Sequence, residues 1–441
     1  MFFYNFFIIF LICFNTIYNI DADMVEHNSK KMAITIDDTH YLCYPYNNIL
    51  QSKQPSNSPI FTPTDLPINK PCTNPPNNSP TNSPTNSPII EQNNNKQLNF
   101  EVKNGDIYMN NEIFHIKGIN WFGYEGGNQM LFGLSDGKNT IDGILLFLQQ
   151  NNFNTIRIPF CVSTIISNPV IPSSTVTQDS GLQGLTIQQS MQKIVNKAAE
   201  YNILIMFDLH QLRPDSGISE LWYDSQTSTS DVLKSWNIIS SLFCNQWNVI
   251  AADLKNEPHG SATWGDGNPS TDWHLAAQQI GNSVLQTCPR LLIFVGGISG
   301  NGGWWGGRLD GIKNNPINLQ DNTKLVYSPH VYGPNVFMQS YFSDSNFPNN
   351  MPDIWNADFG FIKQQNIQAL NVGEFGGFYT EMDKVWQDAF VEYLVKNKIG
   401  SFYWTLNPES SDTKGILLDD WKTPDNNKLN LLSKLLHTKI T

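Results

Sequence analysis

Short apolar segments alternate with helix-like segments through the last three quarters of this chain, and this alternation most restricts its fold. Apolar residues recurring at three- and four-residue steps predict helices at residues 186–201, 232–244, 272–285 and 384–397. The strand-like segments are short and mostly apolar, as strands covered on both faces are. They span residues 114–120, 155–160, 204–210, 249–256, 291–295, 325–330, 369–374 and 401–406. Eight such strands alternating with helices predict a (β/α)8 TIM barrel.

Two glutamates stand at the ends of these strands. Glu257 lies in the run Asp-Leu-Lys-Asn-Glu-Pro-His, and Glu374 lies in Asn-Val-Gly-Glu-Phe-Gly-Gly. A lone glutamate is more often a cap or a salt-bridge partner, but the strand ends of a barrel meet at one mouth, where active sites are built. Splitting an acetal needs one carboxyl to protonate the leaving oxygen and a second to attack or stabilise the anomeric carbon. The two glutamates therefore predict glycoside hydrolysis.

Other polar and aromatic side chains end the same strands, which favours one shared site over separate structural roles. An arginine inside an apolar strand, as Arg157 is, does not fit a surface salt bridge. A single histidine is more often structural than catalytic, but here several polar residues converge on one mouth. The predicted site includes Arg157, His210, Asn256, His330, Tyr332 and Trp404.

No metal or other cofactor is expected at this site. His210 and His330 lie on different strands, and the sequence contains no His-Glu-x-x-His motif. The glycine run at residues 296–303 follows a strand, but no Gly-Lys-Ser/Thr closes it, so it does not match a phosphate-binding loop. We interpret this run as a loop that carries Trp304 and Trp305.

Tryptophans in the strand-end loops indicate the kind of substrate. The chain has 12 tryptophans, and sugar rings stack their apolar faces on indoles. Predicted substrate-binding residues are Trp121, Trp264, Trp304, Trp305 and Trp404. A formal net charge of −12 argues against a nucleic-acid partner and does not disfavour a neutral polysaccharide.

Several motifs resemble those of retaining glycoside hydrolases of family 5, clan A, in the endo-β-1,4-glucanase branch. They are Asn-Glu-Pro-His at residues 256–259, Trp-Trp-Gly-Gly at 304–307, Gly-Glu-Phe-Gly at 373–376 and Trp-Thr-Leu-Asn-Pro at 404–408. The resemblance covers about residues 100–440. It implies that Glu257 is the general acid/base and Glu374 the nucleophile, with the carboxyls about 5 to 5.5 Å apart.

The resemblance also implies roles for the surrounding residues. Arg157 and Tyr332 would hold the nucleophile carboxylate, and Asn256 would bind the sugar 2-hydroxyl. His210 and His330 would line the −1 subsite, and Trp404 would form its floor.

The implied function is that of a secreted, extracellular enzyme that cuts β-1,4-glucosidic bonds of cellulose or related β-glucans by double displacement. We expect it to act as a monomer. Open alternatives are a β-mannanase, a xyloglucanase or a mixed-linkage glucanase of the same family, because subsite loops decide between these substrates. A non-catalytic glucan-binding matrix protein is the rival from another functional class.

The first quarter of the chain differs in composition from the rest. Residues 1–22 contain an apolar run that predicts a signal peptide. The absence of a basic n-region leaves an uncleaved anchor open. No membrane association is expected once the signal peptide is removed. Residues 23–97 predict a disordered tail or linker rich in Asn, Pro, Ser and Thr. Asn77 lies in a glycosylation sequon. The catalytic domain is predicted to span residues 98–441.

Five cysteines follow the predicted signal segment, so at least one is left unpaired. The candidate disulfides are Cys43–Cys72 in the tail and Cys244–Cys288 between the helices that flank the fourth strand. Cys161 would then be free. Sequence alone leaves the pairing open.

Overall fold

The computed structural model describes residues 96–441, except 177–180, 215 and 300–302. In the unit Met1–Asn86 it describes only the backbone of two short strands, Thr35–Ile36 and Thr39–His40, which pair antiparallel. The predicted signal peptide, nearly all of the predicted tail, the Cys43–Cys72 pair and Asn77 lie outside the described residues. The description below concerns residues from 96 onward.

Eight parallel strands form a closed barrel, which confirms the predicted (β/α)8 fold. The last barrel strand pairs with the first and closes the ring through Phe402 opposite Gly118. Almost every residue of the eight strands is buried, as their apolar sequences require. The strands are β4 (Lys117–Asn120), β5 (Thr155–Cys161), β6 (Leu204–Gln211), β7 (Val249–Asp253), β8 (Leu292–Val295), β9 (Leu325–Tyr327), β10 (Ala369–Phe375) and β11 (Gly400–Tyr403).

Helices surround the barrel, and two of them begin with capping boxes. Thr186 and Gln189 cap one helix, and Ser228 and Asp231 cap the next, so free backbone N–H groups at both helix starts have side-chain acceptors. The helices are α1 (Ile141–Gln150), α2 (Val162–Ser167), α3 (Ile187–Glu200), α4 (Thr229–Phe243), α5 (Trp273–Thr287), α6 (Met351–Trp355), α7 (Phe361–Gln364), α8 (Glu381–Asn397) and α9 (Asn426–Leu432). One π-helical turn, Asn356–Gly360, joins α6 to α7.

A small antiparallel sheet precedes the barrel and was not predicted. It consists of β1 (Phe100–Lys103), β2 (Asp106–Met109) and β3 (Glu112–Ile113). Phe100 and Ile107 of this sheet join an apolar cluster with Leu204 and Leu292, which lie at the starts of barrel strands. The sheet therefore covers the N-terminal end of the barrel, and the opposite end remains for a site.

The alternation of side chains along each strand separates two apolar layers. On β6, Leu204 and Met206 point into the barrel, whereas Ile205, Phe207 and Leu209 belong to the cluster between strands and helices. Residues that continue the inward series toward the strand end, at 208 and 210, are therefore brought to the axis of the barrel.

The structure contains the disulfide Cys244–Cys288, with a Cα–Cα distance of 5.4 Å. It joins the C-terminal ends of α4 and α5, the two helices on either side of β7 in the chain. Cys161, at the end of β5, is buried and unpaired. Within the described residues, no helix has the length and apolarity that crossing a membrane requires.

Candidate active site

Polar side chains from several barrel strands meet at the C-terminal end of the barrel. Arg157 belongs to β5, Asp208 and His210 to β6, Asp253 ends β7, and Glu374 lies near the end of β10. Four further residues follow strands directly: Asn256, Glu257, His330 and Tyr332.

Arg157 is fully buried at the centre of this group and contacts three carboxylates. Its Nε atom donates to Asp253 Oδ2 at 2.9 Å, and Nη1 donates to Glu374 Oε1 at 2.6 Å. Its Nη2 atom lies 3.0 Å from Asp208 Oδ1. A buried cation is costly unless it is paired and hydrogen-bonded, and Arg157 meets both conditions.

Asn256 supplies an amide beside the glutamates. Its Oδ1 accepts a hydrogen bond of 2.9 Å from Arg157 Nη2, which fixes the orientation of the amide. Its Nδ2 group is buried and has no hydrogen-bond partner among the described residues. A buried donor without a partner is unfavourable, so this N–H₂ group is available for a bound molecule.

Glu257 has a left-handed backbone, with φ of +50°. Such a conformation is uncommon outside glycine, and it is frequently found where function constrains the chain. Gly306 lies against it: a Cβ atom added there would be 3.2 Å from the Cα of Glu257. The glycine of the Trp-Trp-Gly-Gly run thus permits a close approach of its loop to Glu257.

The carboxyl groups of Glu257 and Glu374 lie close together, with His330 between them. One carboxylate oxygen of each glutamate and one ring nitrogen of His330 all lie within 4.8 Å of one another. His330 Nδ1 is 3.0 Å from Glu257 Oε1 and 3.5 Å from Glu374 Oε2. Tyr332 donates from its hydroxyl to Glu374 Oε2 at 2.5 Å.

The two carboxyls have different surroundings. Burial raises the pKa of Glu257 to about 7, opposed by the positive charge of Arg157. Burial also raises the pKa of Glu374, but the positive charge of the directly bonded Arg157 opposes this effect. Glu374 has a guanidinium and a phenol as donors, and both favour its ionised form. The arrangement therefore keeps Glu257 protonated to higher pH than a normal glutamate and supports charge on Glu374.

The neighbouring His330 and Tyr332 stay uncharged near neutral pH. Burial lowers the pKa of His330 to about 4. Burial and the nearby Glu374 raise the pKa of Tyr332 well above its usual value, so its hydroxyl keeps the proton that it donates.

His210 and Trp404 form an ordered wall beside the carboxyls. The two rings are nearly parallel, with centroids 5.5 Å apart and an interplanar angle of 9°. Phe122 is also nearly parallel to Trp404, at 5.4 Å and 7°. Trp404 Nε1 donates to Ser410 Oγ at 3.2 Å, and the peptide bond after Trp404 is cis.

A cavity of about 620 Å³ opens above the two glutamates. Its wall combines Glu257, Glu374 and His210 with an unusually aromatic lining. The aromatic lining residues are Phe122, Trp304, Trp305, Tyr332, Phe337 and Trp404. Flat apolar rings beside paired carboxyls suit a sugar chain, whose C–H faces pack on aromatics.

Comparison with known families decides the classification. Residues 111–410 match the model of the cellulase family, glycosyl hydrolase family 5. The chain belongs to glycosyl hydrolase family 5. It is therefore a glycoside hydrolase of the cellulase type, as its motifs predicted.

Curated relatives of this family 5 chain are named endoglucanases. One, the endoglucanase of Paenibacillus polymyxa, is 42% identical over 329 residues, covering 72% of this chain and 82% of the relative. Another is the major extracellular endoglucanase of Xanthomonas campestris pv. campestris, 42% identical over 339 residues, covering 74% and 69%.

Solved structures of family 5 show the same fold. A cellotetraose complex of an endocellulase variant from Pyrococcus horikoshii has a TM-score of 0.72 and 39% identity, covering 77% of this chain and 99% of that chain. The catalytic domain of the major endoglucanase from Xanthomonas campestris pv. campestris has a TM-score of 0.69 and 39% identity, covering 73% and 95%.

Ten of the twelve predicted site residues lie at the cavity or directly beneath it in this family 5 enzyme, and two do not. Trp121 is fully buried and donates from Nε1 to the carbonyl of Phe132 at 3.0 Å. Trp264 is partly buried against the core, and its Nε1 donates to the carbonyl of Asn315 at 2.9 Å. The prediction for Trp121 is wrong, because its indole is buried and packs in the core. Trp264 does not line the cavity, and its contact with substrate stays a prediction.

Several functional positions were missed from sequence. Phe122 lines the cavity in place of its neighbour Trp121, because the chain leaves β4 after Asn120 and the strand alternation no longer indicates which side chain faces the mouth. Asp208 and Asp253 were missed as partners of Arg157, although a carboxylate inside an apolar strand was a usable signal.

Proposed function

We propose that this family 5 enzyme is a secreted endo-β-1,4-glucanase that hydrolyses its substrate with retention of configuration. Glu257 is the general acid/base and Glu374 the nucleophile. The observation that carries the proposal is the close approach of the two carboxyls: one oxygen of Glu257 and one oxygen of Glu374 lie within 4.8 Å of each other. Retaining pairs are about 5 to 5.5 Å apart, whereas inverting pairs leave about 6.5 to 9.5 Å for a water molecule.

In the first step, a carboxylate oxygen of Glu374 attacks the anomeric carbon while the bond to the leaving oxygen breaks. Glu257 gives its proton to that oxygen, so the rest of the glucan chain departs with a free hydroxyl and a glycosyl ester remains on Glu374. Arg157 and Tyr332 hold the attacking carboxylate in place before the reaction. This positioning lowers the entropic contribution to the activation barrier.

In the second step, Glu257 is a carboxylate and takes a proton from water as the water oxygen attacks the anomeric carbon. The ester bond breaks, Glu374 regains its charge, and Glu257 is again protonated. The free Nδ2 group of Asn256 supports a contact with the sugar 2-hydroxyl, which strengthens as positive charge develops in the transition state.

The choice of β-1,4-glucan rests on the aromatic cavity and on the relatives. Trp304, Trp305 and Trp404 offer flat faces to an unbranched chain of equatorial sugars. Secretion is supported by the apolar residues 1–22, by a relative named an extracellular endoglucanase, and by the disulfide Cys244–Cys288, a bond typical of oxidising compartments.

The stereochemical course tests the mechanism. Proton NMR during hydrolysis of cellopentaose is expected to show the β anomer first. Glu374→Ala with azide is expected to yield an α-glycosyl azide, because azide fills the space left by the nucleophile. Glu257→Ala with azide and an aryl cellobioside is expected to yield the β-azide. An α anomer formed first, or exchanged azide stereochemistry, would overturn the assigned roles.

A panel of soluble polysaccharides tests the substrate. We expect release of reducing ends from carboxymethylcellulose to exceed release from β-mannan and xyloglucan at equal mass. Glu257→Gln is the matched control, because it preserves size and removes the proton donor. Binding without turnover by both proteins would instead identify a glucan-binding matrix protein.

A further inference from the structure

Asp208 is a buried carboxylate that the proposed reaction does not use. It is fully buried on β6, two residues before His210, so both side chains point to the barrel axis. An isolated buried carboxylate is strongly unfavourable, so a carboxylate at this position needs partners that offset the cost of its burial. The contacts of Asp208 show which partners these are.

Asp208 joins the nucleophile's arginine to the histidine of the cavity wall. Its Oδ1 lies 3.0 Å from Nη2 of Arg157, whose Nη1 donates to Glu374 at 2.6 Å. Its Oδ2 lies 2.6 Å from Nδ1 of His210. One carboxylate thus contacts two groups that reach the reacting centre from different strands.

The contact with His210 determines what that ring offers to a substrate. When Nδ1–H donates to Asp208, the proton is fixed on Nδ1 and Nε2 is left as a hydrogen-bond acceptor. The ring plane is held by Trp404, nearly parallel at 5.5 Å. Because His210 lines the cavity, this nitrogen would be available to accept from a sugar hydroxyl bound there.

We propose that Asp208 is a positioning residue for hydrolysis: it fixes His210 in the Nδ1–H tautomer and holds the guanidinium of Arg157 in line with Glu374. The inference rests on the proposed function, because it assigns Asp208 a part in that same reaction. A conservative change at Asp208 then acts on catalysis through His210 and Arg157, not through the proton of Glu257.

Other charged groups also surround Asp208 and bear on its ionisation. Burial raises its pKa to about 6, and the charges of Arg157 and Lys255 oppose this. Glu125, Asp253 and Glu257 are carboxyls whose own ionisation is coupled to that of Asp208. The proposal rests on the contact of 2.6 Å between Asp208 Oδ2 and His210 Nδ1, not on the ionisation of these neighbouring groups.

A double-mutant cycle tests the link between Asp208 and His210. Asp208→Asn and His210→Ala are each expected to lower kcat/KM on cellotetraose by about 10²-fold, the effect of a small misplacement of reacting groups. The double variant is expected to lose clearly less than the product of the two single losses, because the part of the Asp208 effect that acts through His210 is already absent. Multiplicative losses would overturn the proposal, because the two residues would then act independently.

Leaving-group dependence separates positioning from acid catalysis. On a series of aryl cellobiosides, Asp208→Asn is expected to lower kcat/KM by the same factor for good and poor leaving groups. A loss confined to poor leaving groups would place Asp208 with Glu257 and contradict the proposal. The control is Asp272→Asn, a buried aspartate that caps α5, which is expected to lower stability but keep kcat/KM within about twofold.

A measurement on the intact protein guards against variants that do not fold. In ¹⁵N-histidine-labelled enzyme, the nitrogen shifts of His210 are expected to show the proton on Nδ1 at neutral pH. A proton on Nε2 would overturn the proposal. If wild-type enzyme did not cleave cellotetraose at all, the proposed function would fail, whereas an active wild type with multiplicative losses would reject Asp208 alone.

Discussion

The hydroxyl of Tyr332 donates a hydrogen bond of 2.5 Å to Oε2 of Glu374. This contact is made to the carboxylate that we propose as the nucleophile, and it is present in the enzyme without substrate. We therefore expect Tyr332 to orient the proposed nucleophile.

Tyr332→Phe is expected to lower kcat/KM by roughly 10- to 100-fold, because a hydrogen bond to a charged group is worth about 1.5 to 3 kcal/mol. Steady-state kinetics on cellotetraose measure this loss. The control is Tyr393→Phe, which removes a hydroxyl bonded to Asn356 on the outer helices. Equal effects of the two variants would contradict a specific role for Tyr332.

The raised pKa of Glu257 predicts how stability changes with pH. Burial raises the pKa from 4.5 to about 7, so the native state binds this proton more tightly than the unfolded chain. The stability that the proton contributes is complete below pH 4.5 and is lost as the pH rises through 7. We therefore expect activity that needs this proton to fall over the upper part of the same range.

Glu257→Gln removes this dependence, because glutamine is neutral at every pH. The variant is expected to exceed wild type in free energy of unfolding by up to roughly 3 kcal/mol at pH 8, and to equal it at pH 4. Denaturant unfolding at both pH values measures the difference. A surface change on α8, Glu392→Gln, is the control. A variant less stable than wild type at pH 8 would refute the expectation.

The disulfide Cys244–Cys288 is expected to stabilise the barrel without affecting catalysis. It closes a loop with a sequence separation of 44, for which restriction of the unfolded chain predicts about 4 kcal/mol. Cys244→Ser with Cys288→Ser should lower Tm by several degrees and leave kcat/KM unchanged at 25 °C. Cys161→Ser, which breaks no disulfide, is the comparison.

Removal of the tail is expected to spare the catalytic reaction. Every residue proposed for the site lies at or beyond Phe122, so deletion of residues 23–95 should leave kcat/KM on cellotetraose unchanged. Deletion of residues 23–97 also removes Lys96, which donates to Asn202 and lies 4.1 Å from the ring of Trp247. This second form should have a slightly lower Tm. Lost activity in the shorter deletion would show that the tail contributes to the site.

The barrel was predictable from its apolar strands. The polar residues around the glutamates were predictable because they are polar side chains in strands that are otherwise apolar. A strand buried on both faces has no reason to carry Arg157 or Glu374 unless they meet partners. The fold then required those partners to lie at one end. The same conflict marked Asp208 and Asp253, but those two positions were missed because no partner was assigned to Arg157 from sequence.

Loop aromatics were less predictable because no periodicity applies beyond a strand end. Trp121 and Phe122 are adjacent, yet one packs in the core and the other lines the cavity. Trp264 and Trp304 both lie in loops that follow barrel strands, so the sequence did not distinguish them. The hydrogen bond from Trp264 to Asn315 turns the Trp264 indole toward the core. The sheet β1–β3 was missed because its strands are short and half polar, so they lacked the continuous apolar signal of the barrel strands.

The sheet β1–β3 also has a consequence for how the enzyme is displayed. It carries the chain into the barrel at the end opposite to the cavity, where Lys324 donates from Nζ to the carbonyl of Phe100 at 2.6 Å. A fusion partner, immobilisation tag or solid support joined directly at residue 96 would therefore be attached on the far side from the glutamates. Tethered in this way, the enzyme would present its open mouth outward to an insoluble fibre.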